Sequence, residues 1–302
     1  MARMSPTGPR LLYVTDLGYQ ARGRRYCDED IQLSALLATD FAVALCHPLD
    51  AVALMDGFDA VLVRNSGPVL HYQDRYDEFR AEALRRGTPV YNPLTGRADM
   101  AGKQYLVDLT RADHPVIPTA DGTQGLARLP EAAAYVVKPR QGADSIGLRV
   151  LTPAELASTP LDGLLVQPLV DFRYEVSFYF VDRACQYALY APDPARRWEL
   201  ERYTPTPEDL AFARHFIEWN TLDHGVQRVD ACRTGTGELL LVELEDLNPY
   251  LSLDLLDVAT RSAFVAALKT SLHDFLRGTS GYSRYPSTPC ASTSAIDGST
   301  RR

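Results

Sequence analysis

Apolar residues in the first ninety positions come in short solid runs that alternate with segments of helical spacing. "RLLYVTDLG" (10–18), "FAVALCHP" (41–48) and "FDAVLVRNSG" (58–67) are runs of the kind that strands covered on both faces require. Between the first two, "DEDIQLSALLATD" (28–40) repeats apolar residues at helical intervals behind an acidic first turn. "YDEFRAEALRRG" (76–87) closes on Gly87, a residue suited to the left-handed turn that ends a helix, and the short strand "PVYN" (89–92) follows. Strand, helix and strand in succession predict a parallel α/β domain over residues 1–92.

Beyond residue 92 the pattern changes. "YVVKP", "GLRVL", "GLLVQPLV", "YEVSFYFVD", "CQYALYAP", "VQRVDACR" and "ELLLVELEDL" are short β-branched or aromatic runs divided by Gly, Asp and Pro turns, which predicts antiparallel sheets. Two helical patterns, 207–222 and 253–278, are placed to cover them. The end of the chain, 279–302, is rich in Ser, Thr, Pro and Gly and is expected to be disordered. There is no internal repeat.

Composition narrows the partners. The 302 residues are 46% hydrophobic, enough for a full core, and carry a net charge of −8 with a pI near 5.3. That balance excludes a nucleic-acid or anionic-membrane surface, since no face would release counterions from phosphates. The one dense basic run, Arg22–Arg25, reads as a solvated loop that Asp28, Glu29 and Asp30 neutralise just downstream. Five scattered cysteines lack any metal-ligand spacing and read as reduced, small apolar residues. With no apolar run long enough to cross a bilayer and no apolar stretch of a secretory signal at the start, a cytoplasmic location is expected by default.

Two segments carry candidate chemistry. Lys138 ends the apolar strand "AYVV" and precedes a turn with Gly142 and Gly147. A lysine there either snorkels to water or meets an anion, and glycines let backbone N–H groups converge on a phosphate, with Arg140 and Ser145 as further donors. The segment matches neither a P-loop nor a dinucleotide fingerprint. In "VQRVDACRTGTGELLLVELEDLNPY" (226–250), Asp230 stands on one strand, a Gly-rich hairpin returns the chain, and Glu243 and Glu245 share a face of the next strand. Such acids are either a solvated face or, being inside an apolar run, a magnesium site, because gathered like charges need a cation and carboxylates suit a hard one. Asn248 offers one more oxygen.

Taken in order, "VVKPRQGADSIG", "LLVQPLVD", "RYEVS" and "RVD…ELLLVELEDLNP" resemble the ATP-grasp superfamily of carboxylate-amine ligases over roughly residues 90–275. The resemblance implies the ATP-grasp fold: an N-terminal parallel α/β domain (1–92), then two α+β lobes (93–170 and 171–278) whose antiparallel sheets clasp ATP. It implies that Lys103, in "DMAGKQYL", and Lys138 bind the nucleotide phosphates, with Ser145 in the phosphate loop. Backbone groups of Gln167, Pro168, Leu169 and Val170 would meet the adenine edge, and Glu175 the ribose hydroxyls. Asp230 and Glu243 would hold Mg²⁺ with either Glu245 or Asn248, since Glu-x-Glu-x-x-Asn replaces the superfamily's Glu-x-Asn. Arg228 matches the arginine that steadies the phosphoryl group, an ordinary salt bridge being the other reading.

The implied reaction activates a substrate carboxylate as an acyl phosphate for attack by a nitrogen nucleophile. The compact chain and the "VELEDLNPYLSL" ending are most similar to a ring-closing ligase. Joining of two molecules, a kinase that stops after phosphoryl transfer and a non-catalytic ATP-binding protein are the alternatives. The substrate is expected to be a small amino-acid-like carboxylate, and a homodimer is common among such ligases. Asp16, Tyr19, Arg24, Arg64, Asn65 and Ser66, in loops at strand ends, are the substrate candidates, each with a plain loop or capping role as the other reading. Arg196, Arg197 and Trp198 stand on a Pro-rich loop that is either a lid over the phosphates or a surface connection.

Overall fold

Parallel pairing organises the N-terminal region of the computed structural model, which describes residues 8–21, 24–25, 27–64, 69–141, 147–196, 199–247 and 249–280. Its elements are β1 (Arg10–Val14), β2 (Gln20–Ala21), β3 (Arg24–Arg25), α1 (Cys27–Leu37), β4 (Ala42–Cys46), α2 (Ala51–Leu54), β5 (Ala60–Val63), α3 (Gln73–Arg86) and β6 (Val90–Tyr91). The sheet order is β4-β1-β5-β6, parallel throughout. Alternate residues bury opposite faces, as the solid apolar runs require. Leu11, Tyr13 and Leu62 pack with Leu33 and Leu37 of α1, whereas Leu12, Val14 and Val61 pack with Met55, Phe79 and Ala83 on the other side. Gly87 closes α3 with φ 66°, in the left-handed conformation that the sequence predicted.

Glu29 and Asp30, just downstream of the basic run, are buried, because helical spacing from Leu33 and Leu37 turns them toward the sheet.

The next elements are α4 (Tyr105–Arg111), β7 (Ala120–Asp121), α5 (Gly122–Gly125), β8 (Tyr135–Pro139), β9 (Arg149–Leu151), α6 (Pro153–Ser158) and β10 (Leu164–Pro168). Four of them make an antiparallel sheet of order β7-β10-β8-β9, packed through Val137 and Val166 on Leu156 and Leu161. α6 starts at a capping box in which Thr152 and Glu155 satisfy each other's backbone N–H groups.

The third sheet is formed by β11 (Phe172–Val181), β12 (Ala184–Ala191), β13 (Glu201–Tyr203), β14 (Val226–Thr234) and β15 (Leu239–Glu245), with α7 (Pro207–Asn220) and α8 (Val258–Ser280) beside it. It is antiparallel, in the order β13-β12-β11-β14-β15. One face, Phe178, Phe180, Val229 and Leu244, packs on Phe216 and Ile217 of α7 and on Leu106 and Leu109 of α4. The other face is divided. Tyr179, Tyr187 and Leu189 join Phe264, Leu268 and Leu272 of α8 and the α1 side of the first sheet, and the remainder is polar.

A bulge in β15 produces that division. Asp230 pairs with Glu243, but Ala231 pairs with Leu241, so Val242 is the extra residue. Leu241 and Leu244 therefore both face the core while Glu243 and Glu245 face away from it. α8 differs from the expected 253–278: the side chain of Asp257 accepts the Thr260 N–H at 2.8 Å, which starts the helix at Val258, and Gly278 lies within it. The expected disordered tail lies outside the described residues apart from Thr279 and Ser280, which belong to α8.

Candidate active site

Cross-strand pairing builds the site on the polar face of the third sheet. Ser177 pairs with Asp230, Tyr179 with Arg228, Asp230 with Glu243, and Arg228 with Glu245, which puts all six side chains on one face. The Arg228 guanidinium holds Asp230 through Nε at 2.9 and 3.1 Å and Nη2 at 2.8 Å, and Glu245 Oε1 through Nη2 at 2.5 Å. Its Nη1 donates to the Tyr250 carbonyl at 2.9 Å, and it lies over the Tyr179 ring. Ser177 Oγ donates to Asp230 at 2.6 Å. Arg228 is thus both ion-paired and fixed in orientation.

The two lysines meet this cluster from the other side. Lys103, its side chain only 12% exposed, places Nζ on Glu243 Oε1. Its backbone N–H donates to the Arg140 carbonyl at 3.0 Å, tying it to the strand that carries Lys138. Burial alone would push the Glu243 carboxyl up; the Lys103 and Lys138 ammoniums outweigh burial and hold it below the ordinary range. Lys103 is affected reciprocally, burial pushing it down and Glu243 raising it further. Glu245 differs: burial pushes it up to about 8 against the pull of Arg228, with Asp230 and Glu243 adding to the rise. Lys103 and Lys138 thus act on Glu243, while Arg228 holds Asp230 and Glu245 beside it.

The remaining candidates spread around this centre. Gln167 and Pro168 are buried at the end of β10, where the chain crosses to β11, and Gln167 Nε2 donates to Thr119 Oγ1 at 2.8 Å. Leu169 is half exposed and its N–H is taken by the Ala134 carbonyl at 2.9 Å, with Val170 beside it. Glu175 lies on the polar face, paired with Cys232 and Ala191. Ser145, Asn248, Asn65, Ser66, Arg197 and Trp198 lie outside the described residues. Arg196 is exposed and ion-paired with Asp193 and Glu199.

At the strand ends of the first sheet, Asp16 is 2% exposed. It accepts from the Gly18 and Tyr19 N–H groups, each at 2.9 Å, and from the Tyr72 hydroxyl at 2.8 Å, with His47 Nε2 at 3.6 Å. Arg24 stands in β3. Arg64 is 3% exposed and wholly engaged: Nε on Asp30 at 3.3 Å, Nη2 on the Pro249 carbonyl at 2.7 Å, and Glu29 at 3.8 Å. Glu29 in turn accepts the Leu251 and Leu253 N–H groups at 2.8 and 2.9 Å. Arg64 thereby fastens the parallel sheet to the chain that leaves β15.

Sequence reasoning missed Asp99 and Asp246. Asp246, 0% exposed, accepts from Met100 N at 2.8 Å, Ala98 N at 3.2 Å and Asn220 Nδ2 at 3.0 Å. Gly96 passes so close that a Cβ there would collide with Asp246 Oδ2. Gly96→Ala is expected to destabilise the chain by roughly 1–3 kcal/mol, read as a lower urea midpoint.

The donor set fits magnesium in kind: hard carboxylate oxygens beside cations that suit phosphate. Among the described residues, no three acidic, His or Cys side chains are gathered to hold an ion as they stand. Lys103 and Arg228 occupy the carboxylates, so they would have to yield part of them to a metal.

A parallel α/β domain followed by two antiparallel sheets is the ATP-grasp arrangement, and the chain has that fold. Among solved structures it is similar to D-cycloserine synthetase, with 24% identity, TM-score 0.63 and coverage of 85% of this chain and 98% of that one. It is similar also to a D-alanine–D-alanine ligase from Bacillus anthracis complexed with ATP, at 14% identity, TM-score 0.60 and coverage of 90% and 99%. A third is the ATP-grasp ligase PsnB complexed with a precursor, Mg and ADP, at 17% identity, TM-score 0.59 and coverage of 89% and 100%. No family model and no curated protein matches the chain by sequence. Among the described residues no helix is long and apolar enough to cross a membrane.

Proposed function

We propose that this chain is an ATP-dependent carbon–nitrogen ligase that activates an amino-acid-like carboxylate. The observation that supports it best is the cluster in which Lys103 and Lys138 act on Glu243, while Arg228 orders Asp230 and Glu245. Lys103 and Lys138 would bind the phosphates of ATP, and the chain at Gln167–Val170 with Glu175 the nucleoside. Asp230, Glu243 and either Glu245 or Asn248 would hold Mg²⁺, which when bound neutralises charge on the phosphoryl oxygens. Arg228, still held by the Tyr250 carbonyl once it yields part of the carboxylates to the metal, would stabilise developing negative charge. The reaction needs no covalent protein nucleophile: the substrate carboxylate attacks the γ-phosphorus, giving an acyl phosphate and ADP, and a nitrogen then displaces phosphate.

For the particular reaction we favour ring closure of O-ureido-D-serine to D-cycloserine, a step of antibiotic biosynthesis, in which the nitrogen belongs to the activated molecule. The similarity to D-cycloserine synthetase over 98% of that chain supports this reading. Intermolecular joining is the alternative. The reading places the protein in the cytoplasm, where ATP is supplied.

ADP release is measured with O-ureido-D-serine and with other small amino-acid carboxylates, with and without added amines, and products are weighed by mass spectrometry. Ring closure gives ADP and phosphate with one organic substrate: the ureido nitrogen bound to oxygen displaces phosphate from the acyl phosphate, its bond to the carbamoyl group is hydrolysed, and the product is lighter by the elements of carbamic acid, released as CO₂ and ammonia. A requirement for a second amine would instead establish intermolecular joining. Lys138→Ala is expected to weaken ATP at least about 10-fold, the loss of one charge-assisted phosphate contact. Unchanged ATP affinity in that variant would remove Lys138 from the site.

A further inference from the structure

Lys103 rides on a connection, residues 92–104 between β6 and α4, whose regular structure is one short turn, Asp99–Ala101. A segment of that kind does not hold a lysine in place by itself. It is pinned at both ends of its course to the exit of β15. Asn92 Nδ2 donates to the Val226 and Asp246 carbonyls at 2.7 and 2.5 Å, and its Oδ1 accepts the Val226 N–H at 2.8 Å. Further on, Arg97 N donates to Asn220 Oδ1 at 2.7 Å, and Ala98 N and Met100 N donate to the Asp246 carboxylate. Asp99 reaches the opposite way, its Oδ1 accepting the Asp246 and Leu247 N–H groups at 2.6 and 3.0 Å.

The two aspartates thus bracket the strand exit and the lysine loop together, Asp99 capping the Asp246 and Leu247 N–H groups and Asp246 those of Ala98 and Met100, on either side of Asp99. Glu243 lies three residues before Asp246 and Lys103 three residues after Met100, so both partners of the Lys103–Glu243 contact hang from one fixed point. We propose that the Asp99–Asp246 bracket is a positioning device that sets Lys103 for ATP. This rests on the ligase reading, in which Lys103 binds the nucleotide. Asp246 suits the task because the Met100 and Ala98 N–H groups and Asn220 Nδ2 all donate to its oxygens; asparagine would turn an NH₂ toward one of them.

The test is a double-mutant cycle on the ATP affinity of the full chain, by titration with ATP, for wild type, Asp246→Asn, Lys103→Met and the double variant. Asp246→Asn is expected to weaken ATP roughly 10-fold when Lys103 is present. In the Lys103→Met background the same change should alter affinity by less than about twofold, since the group it positions is gone. Equal losses in both backgrounds would show that Asp246 supports only the fold, and would overturn the proposal. Should Asp246→Asn not fold, Asp99 carries the test. Asp99→Ala is expected to weaken ATP similarly, and Asp99→Asn, which keeps the accepting Oδ1, to restore it; weak binding in both, or in neither, would overturn the proposal. If wild type binds no ATP, the ligase reading fails, whereas additive losses on a wild type that binds fail the bracket alone.

Discussion

Replacing Glu243 by alanine is expected to lower ATP-dependent turnover at least about 100-fold, the size of effect that removal of one preorganised electrostatic group produces. Glu243 is the point where the two halves of the site meet: it contacts Lys103, feels Lys138, and pairs across the sheet with Asp230. Removing its charge takes away both a magnesium oxygen and the anchor that holds Lys103. The fold should survive, because Glu243 lies on the polar face of the third sheet, away from the core that Phe178, Val229 and Leu244 build on the other face. Glu243→Gln, which preserves shape, should lose as much activity as alanine, since charge is the property in use. Phosphate release with ATP and the identified substrate, set beside a thermal melt, checks both halves. Turnover at the wild-type level in either variant would remove Glu243 from the reaction.

The acids of β14 and β15 were legible because their pattern is local. Two glutamates two apart, inside an apolar run and opposite an aspartate across a glycine hairpin, fix a shared face without any knowledge of the rest of the chain. The bulge that protects this face was latent in the same run: Leu239, Leu241 and Leu244 are buried at spacings of two and then three. Lys138 was legible for a similar reason, as a charge at the end of a strand. The parallel order of the first domain followed from solid apolar runs alternating with helices.

What stayed hidden depends on distant partners. Asp246 follows two glutamates and looks like one more acid of a solvated turn, yet its donors lie in a loop nearly 150 residues earlier. Only the fold supplies them. α4 is seven residues long and buries itself beneath a sheet that forms much later in the chain, so its periodicity was too brief to announce it. α6 is a different case: Thr152, Pro153 and Glu155 spell a capping box, a local signal left unread. Arg64 was rightly located at a strand end where ligands collect, but position there does not reveal that α1 presents two buried carboxylates to it.

That distinction has a large consequence. Arg64→Ala is expected to destabilise the chain by roughly 3–5 kcal/mol, the cost of leaving a buried charge partner uncompensated. A substrate ligand would behave otherwise, raising KM while leaving the unfolding midpoint in place. The loss should also depend on pH. Burial pushes the Glu29 carboxyl up to about 7, Arg64 opposing the rise. Between its ordinary range near 4.5 and about 7, the folded state therefore holds more of this proton than the unfolded state, and its stabilising contribution fades as pH rises through 7. Without Arg64 the charged carboxylate is disfavoured further, so the variant should lose more stability at pH 8 than at pH 5.5. Adding Glu29→Gln, which keeps an accepting oxygen for the Leu251 and Leu253 N–H groups without the charge, should recover part of the loss at pH 8 and little at pH 5.5. Urea unfolding of the three proteins at both pH values measures this, and a pH-independent loss would show that Arg64 acts through Asp30 and the Pro249 carbonyl rather than through Glu29.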